Sequence, residues 1–412
     1  DLPGPKIRLG AIANGPVELE RGKSFTLVNH DIVGDATRAS HSFPKLPDVV
    51  SPGDSIYLND GYVQLLVAEI RDGDVHCTVE SGGPINSRKG MNLPRIDLGM
   101  LAFTPQDEEF LRFAAEMEMD AVSQSFVQDA ADIEAVRTAA RALNYDPFII
   151  AKIERAGALD HLEEILVAVD GIMVARGDLG VEIPIEQVAA TQKHMIQRAN
   201  RYGKPVITAT HMLESMIQNR RPTRAEVTDV ANAILDGTDC VMLSGETAVG
   251  EFPTDAVDMM SRIAAVTEQE MAPEDRNLVH LLTSRRDVGD ITFDDLVSLN
   301  VYLSTQTLRP AIIFAPTSSG ITAQRLARFR LPVWIVAFSP SKKVCQELQF
   351  TWGVWTVHVP KQPESWHTYA RTWSRDFEFE GSLALVTEGT GTLEAGGTVR
   401  TDILDLSAVN PR

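Results

Sequence analysis

The chain has 412 residues, 44% of them hydrophobic, and its 57 acidic against 38 basic residues give a formal net charge of −19. This length is enough for a large buried core and predicts two or three domains. Because an acidic surface repels nucleic acid and anionic membranes, we expect neither as a partner. An anionic substrate then needs a local cluster of cations or a metal ion.

The three cysteines, Cys77, Cys240 and Cys345, are scattered and form no CxxC pair, which is typical of free thiols in a reducing compartment. No apolar run approaches the roughly 18–20 residues of a membrane span. The opening "DLPGPKIRLG" does not resemble a signal peptide. We therefore predict a cytoplasmic protein.

Residues 10–94 are strand-like, with short apolar runs separated by Gly, Asp and Pro turns and no convincing helix. The runs are "SFTLVNH", "SIYLND", "YVQLLVAEI" and "VHCTVES". This pattern predicts a small β-barrel or sandwich.

From about residue 95, strands and helices alternate. The predicted strands are "DAVSQSFV", "PFIIAKIE", "GIMVARG", "PVITAT" and "CVMLSG", each followed by a helical pattern. Such a repeat predicts a parallel sheet with right-handed crossovers. Polar residues at the carboxyl ends of nearly all these strands favour a barrel over an open sheet, because barrels place their sites there.

A separate α/β pattern follows "EQEMAPEDRN", from about residue 271 onward. All five tryptophans lie between residues 334 and 373. We therefore predict a C-terminal domain with its own core.

Charged residues end two neighbouring strands of the predicted barrel. Lys152 and Glu154 are two residues apart, so a strand points both side chains into the same rim. Glu154 and Asp178 come from adjacent strand ends and could share a divalent cation such as Mg²⁺, while Lys152 would face a phosphoryl or enolate oxygen. The alternative is a Lys–Glu ion pair that only closes a strand end.

The stretch "VARGDLGVEIP" turns from a strand into a short helix, whose exposed N–H groups could bind a substrate carboxylate. Thr210 could contact substrate or relay a proton, although a threonine at a strand end is more often structural. His211 is expected to make a structural hydrogen bond. The sequence contains no GxSxG, HExxH or Walker A motif, which argues against serine hydrolases, zincins and P-loop enzymes.

The motifs "SRKGMNLP", "AKIE", "ARGDLGVE", "ATHMLESM" and "RPTRAEVTDVANAILDGTDCVMLSGETAVG" resemble, in this order, those of pyruvate kinase. The resemblance implies a (β/α)8 TIM-type barrel of residues 1–9 and 95–270, an inserted β-barrel lid of residues 10–94, and a C-terminal α/β regulatory domain of residues 271–412. The family's first barrel strands precede the position of Asp1, so this sequence alone is expected to form an incomplete barrel.

The implied reaction is the last step of glycolysis, in which phosphoenolpyruvate passes its phosphoryl group to ADP to give pyruvate and ATP. By motif match, Glu154 and Asp178 would hold Mg²⁺ or Mn²⁺. Lys152 would stabilise the phosphoryl group in transfer and the enolate left behind.

The same match gives roles to residues around this centre. The N–H groups of Gly177 and Asp178 would hold the substrate carboxylate beside Thr210. Thr210 and Ser244 would organise protonation of the enolate. Arg8 and Lys89 would meet the nucleotide phosphates.

Two departures from the family pattern concern a monovalent cation. Potassium-requiring members resemble "DTKGPEIR" where this chain reads "DLPGPKIR", so Leu2 replaces a threonine ligand and Lys6 replaces a glutamate. Since an ammonium group can supply the charge that potassium brings, the expectation is that K⁺ is not required. The alternative is a surface lysine beside a tight proline turn.

The stretch "APTSSGITAQRLARF" resembles the family's effector loop. Its candidate residues for a phosphorylated effector are Thr317, Ser318, Ser319, Gly320 and Thr322. Ordinary helix capping is the alternative, since Ser and Thr are preferred at caps. The resemblance also implies an allosteric homotetramer, with "NRRPTRAE" near a subunit contact.

Two other functions compete. The first is another Mg²⁺-dependent barrel enzyme that binds phosphoenolpyruvate or an enolate, such as a carbon–carbon lyase. The second is a non-catalytic homologue. The inserted lid and Lys89 favour a nucleotide substrate over the lyase.

Overall fold

The computed structural model describes residues 1–13, 15–59, 61–96, 98–271, 293–389 and 398–407. These fall into two compact units, of which the first comprises residues 1–169, 173–192 and 209–211. The second comprises residues 170–172, 193–208 and 212–412. Within the described ranges, no helix has both the length and the apolar character needed to cross a membrane.

The lid region in the first unit is almost entirely strands, as predicted. Its six-stranded sheet has the order β3-β2-β6-β5-β4-β8, and β1 pairs with β7 in a second sheet. The strands are β1 (Val17–Leu19), β2 (Ser24–Val28), β3 (Arg38–Ser40), β4 (Ser55–Leu58), β5 (Val63–Arg71), β6 (Asp74–Ser81), β7 (Gly83–Ile85) and β8 (Met91–Asn92).

Alternate residues of these strands point inward and form one apolar core, which includes Phe25, Leu27, Ile56 and Leu58. The expectation that this region holds no helix was wrong in one place. A single helical turn, α1 (Leu46–Val49), buries Leu46 against that core.

The predicted barrel strands form a five-stranded sheet in the order β13-β12-β11-β10-β9. They are β9 (Ala121–Gln124), β10 (Phe148–Ile153), β11 (Gly171–Ala175), β12 (Val206–Ala209) and β13 (Cys240–Met242). β9 and β10 are parallel, with Ile149 opposite Val122. Leu2 forms an isolated parallel bridge with Gln124, so the first residues of the chain lie at the β9 edge.

Helices follow these strands as the periodicity predicts. They are α2 (Pro105–Glu116), α3 (Ala130–Ala142), α4 (Ala156–Asp160), α5 (Leu162–Ala168), α6 (Arg176–Glu182), α7 (Val188–Tyr202), α8 (Arg224–Asp236), α9 (Gly245–Ala248) and α10 (Pro253–Gln269). Local signals fix several ends: Thr223 and Glu226 form a reciprocal capping box that starts α8, and Gly237 ends it in the left-handed conformation.

The C-terminal sheet lies in the second unit and has the order β16-β15-β14-β17-β18. Its elements are α11 (Phe293–Leu308), β14 (Ile312–Pro316), α12 (Ile321–Ala327), β15 (Ile335–Ser339), α13 (Lys342–Glu347), β16 (Val354–His358), α14 (Trp366–Asp376), β17 (Leu383–Gly389) and β18 (Thr398–Asp405). β14 pairs in parallel with β15 and β17, while β18 is antiparallel to β17.

Both faces of this sheet are covered, because successive residues of β14 enter different cores. Ile313 joins the core with α12, and Phe314 joins an aromatic core with Trp373. The tryptophans contribute less to this core than the sequence suggested, since Trp334 and Trp355 are 54% and 53% exposed.

Candidate active site

The end of β10 carries a buried ion pair. Lys152 Nζ lies 2.9 Å from Glu154 Oε1, and Glu154 is 1% exposed. Lys152 also donates to Ser125 Oγ at 3.1 Å, while the other Glu154 oxygen accepts from the Phe126 N–H at 2.9 Å. The two side chains therefore meet at the rim, as their spacing predicted.

Asp178 contributes a second carboxylate from the first turn of α6, directly after β11. Burial raises the pKa of Glu154, and the nearby charge of Asp178 raises it further against the opposing effect of Lys152. The two acids are thus close enough to repel each other electrostatically. Among the described residues, no group of three or more His, Cys, Asp or Glu side chains could hold a metal, so this candidate centre has two carboxylates.

The first residues of the chain approach the same lysine. Asp1 Oδ2 lies 3.6 Å from Lys152 Nζ, and the other Asp1 oxygen accepts from the Ser123 hydroxyl. Leu2 is 2% exposed, so its side chain is part of the core and offers no oxygen to a cation.

The backbone after β12 is strained. Thr210 and His211 have φ angles of +76° and +54°, a left-handed conformation that is rare for a β-branched residue. Arg176 stabilises it, since its guanidinium donates to the carbonyls of Ala209 at 3.2 Å and Thr210 at 2.7 Å. The His211 ring is exposed and makes no hydrogen bond with the described residues, so the expected structural bond was not found.

Gly177 packs directly against this strained turn. A Cβ atom at residue 177 would lie 2.7 Å from Thr210 Cγ2, a distance that real side chains do not tolerate. A glycine is therefore required for the start of α6 to approach Thr210 so closely.

A cleft of about 1070 Å³ opens beside these residues, entirely within the first unit. Its barrel wall includes Arg176, Gly177 and His211, and its lid wall includes Tyr57 and Tyr62. This volume is ample for a small substrate.

Lys6, Arg8 and Lys89 gather around Gly90. The Arg8 guanidinium donates to the carbonyl oxygen of Arg88 at 3.0 Å. The backbone of Arg8 forms an isolated antiparallel β-bridge with Gly90. Lys6 is exposed, and its Cε lies 3.7 Å from the position that a Cβ on Gly90 would take. The structure therefore brings the backbone of Arg8 and the side chain of Lys6 to the residue next to Lys89.

Ser244 belongs to the second unit, at the start of α9. Its N–H donates to Glu246 Oε2 at 2.7 Å, and the other Glu246 oxygen accepts from the Leu213 N–H at 2.9 Å. Glu246 is fully buried and ties the loop after β13 to the segment after β12.

The candidate effector loop connects β14 to α12. Thr317 Oγ1 accepts from the Gly320 N–H at 2.9 Å, and Gly320 is left-handed with φ +83°. Among the described residues, no side chain of the N-cap residue makes a capping hydrogen bond at the start of α12, because that residue is Gly320. Ser318 is exposed, Ser319 is half-buried and Thr322 is buried.

Sequence reasoning gave no role to Asp1, Ser125 or Arg176, although all three contact the predicted site residues. Ser125 and Arg176 both lie at the polar ends of predicted strands, "DAVSQSFV" and "GIMVARG". The alternation of Ser125 with Ser123 is a signal that could have identified Ser125. The contact of Asp1 carries no local signal, because Lys152 is far away along the chain.

Comparison of the chain with known proteins gives the same family that the sequence motifs resemble. Residues 1–257 match the family described as "Pyruvate kinase, barrel domain", and residues 295–401 match "Pyruvate kinase, alpha/beta domain". A pyruvate kinase of Thermococcus litoralis is 45% identical over 359 residues, covering 86% of this chain and 74% of the relative. Pyruvate kinase 2 of Synechocystis sp. is 41% identical over 406 residues, covering 97% and 67%.

The fold agrees with these sequence relatives. The crystal structure of a pyruvate kinase from Cryptosporidium parvum has a TM-score of 0.87 and 34% identity, over 98% of this chain and 82% of that one. Since sequence and fold agree over most of the chain, it belongs to the pyruvate kinase family.

Proposed function

We propose that the rim at the ends of β10 and β11 is the catalytic centre, and that Glu154 and Asp178 hold Mg²⁺ there. The chain is a metal-dependent phosphotransferase of glycolysis that passes the phosphoryl group of phosphoenolpyruvate to ADP. The observation that carries the proposal is Glu154, a carboxylate 1% exposed and 2.9 Å from Lys152.

The two acids fit a hard divalent cation. A buried carboxylate with a second one nearby is unfavourable unless positive charge compensates it, and Lys152 supplies a single charge for both. Carboxylate oxygens are the ligands that Mg²⁺ prefers, with substrate and water completing its shell. When bound, the ion would neutralise the charge of the transferring phosphoryl group.

The chain's own groups orient the substrate. Lys152 would place its ammonium on the phosphoryl oxygens and then on the enolate oxygen, where its bond to Ser125 holds it in position. The N–H groups of Gly177 and Asp178 would donate to the substrate carboxylate beside Thr210. Thr210 and Ser244 would organise proton delivery, and Arg8 and Lys89 would bind the nucleotide phosphates.

The test is ADP-dependent pyruvate formation with Mg²⁺ and with Mn²⁺, in wild type and in Glu154→Gln and Asp178→Asn. We expect both variants to fold and to lose Mn²⁺ binding together with turnover. A folded variant that keeps the wild-type Mn²⁺ affinity would refute the assignment of that carboxylate.

We also propose that turnover does not need K⁺. The support is Leu2, whose buried side chain provides no ligand, and Lys6, which brings a fixed positive charge to this segment. Equal turnover in potassium and tetramethylammonium buffers is expected, and strong activation by potassium would contradict the proposal.

The loop of residues 317–322 is proposed to bind the phosphate of an effector. It follows β14, where the strand order of the sheet reverses between β15 and β17, and such reversal points are the usual ligand positions of open α/β sheets. A series of phosphorylated sugars should shift the saturation curve for phosphoenolpyruvate. An unchanged curve with every sugar would count against the site.

Three further proposals concern organisation. The domain boundaries at residues 9/10 and 94/95 are supported by the region between them, which consists of β1–β8 and the single turn α1. The boundary at residues 270/271 is supported by the end of α10 at Gln269 and by the separate C-terminal sheet. A homotetramer is proposed from family membership and is tested by sedimentation. A cytoplasmic location is supported by the three free cysteines.

A further inference from the structure

The chain returns from the lid to the barrel through residues 94–96, here called the return segment. Arg155 and Glu182 are both 7% exposed, and each binds this segment. Arg155 Nη2 donates to the carbonyl oxygen of Ile96 at 3.0 Å. The Glu182 carboxylate accepts from the backbone N–H of Arg95.

The same two residues are linked to each other. Glu182 Oε2 accepts from the Ala156 N–H at 3.4 Å, directly beside Arg155. Burial raises the pKa of Glu182, and the positive charge of Arg155 opposes this rise. Arg155, Glu182 and the return segment therefore form one buried polar network.

Each residue is also attached to one of the proposed metal ligands. Arg155 follows Glu154 directly, and Glu182 lies one turn after Asp178 on α6. Breaking a hydrogen bond of a buried charged side chain costs a large free energy. A displacement of the return segment would therefore move Arg155 and Glu182, and with them the neighbouring ligands Glu154 and Asp178.

The lid touches α6 a second time at the neighbouring residue. A Cβ at Gly61 would lie 3.1 Å from Val181 Cγ2, so the lid loop rests on the side chain next to Glu182. The cleft lies between this contact and the return segment, and both line it. The last turn of α6 is thus held by the lid from two directions.

We propose that Arg155 and Glu182 are positioning residues that couple the placement of the lid to the geometry of the metal carboxylates Glu154 and Asp178. This inference depends on the proposed metal role of those two acids. Neither Arg155 nor Glu182 is assigned a contact with the metal or substrate in this proposal; both act through the residues beside them. Metal binding and lid order then change together.

The experiment compares Arg155→Met, Arg155→Lys and Glu182→Gln with wild type in two measurements that do not require turnover. The first is the Mn²⁺ dissociation constant. The second is hydrogen exchange of residues 53–62 and of the return segment, without metal and with Mn²⁺. The matched control is Arg137→Met, since Arg137 also donates to a barrel carbonyl, that of Ala168, at 2.9 Å.

We expect Mn²⁺ to slow lid exchange in wild type. In Arg155→Met and Glu182→Gln, the Mn²⁺ dissociation constant should rise by about 10-fold or more, as for other residues that orient metal ligands. Mn²⁺ should no longer slow lid exchange in these variants. Arg155→Lys should recover part of both properties because it keeps the charge, and Arg137→Met should behave as wild type.

Wild-type Mn²⁺ affinity in folded Glu182→Gln or Arg155→Met together with a normal exchange response would overturn the coupling. Equal losses in Arg137→Met would overturn it too, because general destabilisation would then explain the result. Failure of the proposed function is distinguishable, since it appears as wild-type Mn²⁺ affinity in Glu154→Gln.

Discussion

Two regions of the molecule use the same topological position for different chemistry. The rim after β10 and β11 and the loop after β14 both lie at the carboxyl ends of parallel strands. The rim holds a partly buried ammonium 2.9 Å from a carboxylate that is 1% exposed. The loop of residues 317–322 has no charged side chain and is ordered by the hydroxyl of Thr317 and a left-handed glycine.

This difference is consistent with the ligands proposed for the two regions. Buried, fixed charges stabilise charge that develops during a reaction, because they need no rearrangement at that moment. An uncharged loop of hydroxyl and N–H groups can hold a phosphate and release it again, since it leaves no unpaired buried charge behind. The topology supplies a place for a ligand, and the side chains decide between turnover and regulation.

The largest effect is expected from removing the ammonium at the rim. Lys152→Met should lower kcat by about 10³-fold. It removes the positive charge that is proposed to stabilise the transition state, and it leaves the carboxylate of Glu154 without its cationic partner. The measurement is steady-state pyruvate formation at saturating phosphoenolpyruvate and ADP.

The control for this variant is Lys193→Met. Lys193 also pairs with a carboxylate, that of Asp236, but it is half exposed on α7. Its loss should leave kcat within about twofold, because Lys193 lies outside the proposed catalytic rim. Equal losses of activity in both variants would remove the distinction between a catalytic and a surface lysine.

A smaller but sharper effect is expected at Gly177. Gly177→Ala places a Cβ against Thr210 Cγ2, so it should displace the start of α6 and lower kcat/KM by on the order of 10²-fold. The double variant Gly177→Ala with Thr210→Ser lacks the opposing methyl group and should recover part of the loss. A double variant no better than the single one would show that the close approach is not the cause.

The loop after β14 should affect regulation more than chemistry. Thr317→Val removes the oxygen that holds the Gly320 N–H, so it should abolish an effector-induced shift of about 5-fold or more in half-saturation by phosphoenolpyruvate. The measurement is the saturation curve with and without a phosphorylated sugar. An undiminished shift would separate this loop from the effector site.

The smallest effect is expected for a carboxylate that serves only the fold. Burial acts to raise the pKa of Glu226, but hydrogen bonds from Ser215 and Thr223 outweigh it and hold the pKa below its ordinary value of 4.5. Because the folded pKa is lowered, the ionised carboxylate stabilises the fold above the unfolded value. This contribution is lost as the pH falls through the folded value.

Thr223→Ala should therefore lower the free energy of unfolding by about 1 kcal/mol at pH 7. The deficit of Glu226→Gln relative to wild type should be full above pH 4.5 and vanish as the pH falls further. Urea unfolding at a series of pH values measures both. A deficit that persists unchanged into acid would mean that the charge of Glu226 does not matter.

Periodicity predicted most of the fold because burial follows it. Strands such as β11 are continuous apolar runs, and helices such as α8 carry their caps in the sequence. The turn α1 was missed because a four-residue helix has no periodic signal. The exposure of Trp334 and Trp355 was also missed, since composition shows how much can be buried and not which residue is.

The candidate site was predictable where it depends on one strand. The alternation of Lys152 and Glu154 fixed their common direction, and their ion pair followed. The contact of Asp1 with Lys152 depends on which strands are neighbours in space, which local sequence does not state. The left-handed backbone at Thr210 was equally hidden, because threonine is a residue that normally avoids it.

Because of the left-handed backbone at Thr210, selection for stability and selection for activity should favour different residues at this position. Glycine or asparagine at residue 210 would adopt the same φ of +76° with less strain, so screening for heat resistance alone should replace the threonine. Descendants chosen for turnover should keep its hydroxyl and tolerate the lower melting temperature. The residue found at position 210 after laboratory evolution would therefore show whether the selection acted on thermal stability or on catalytic activity.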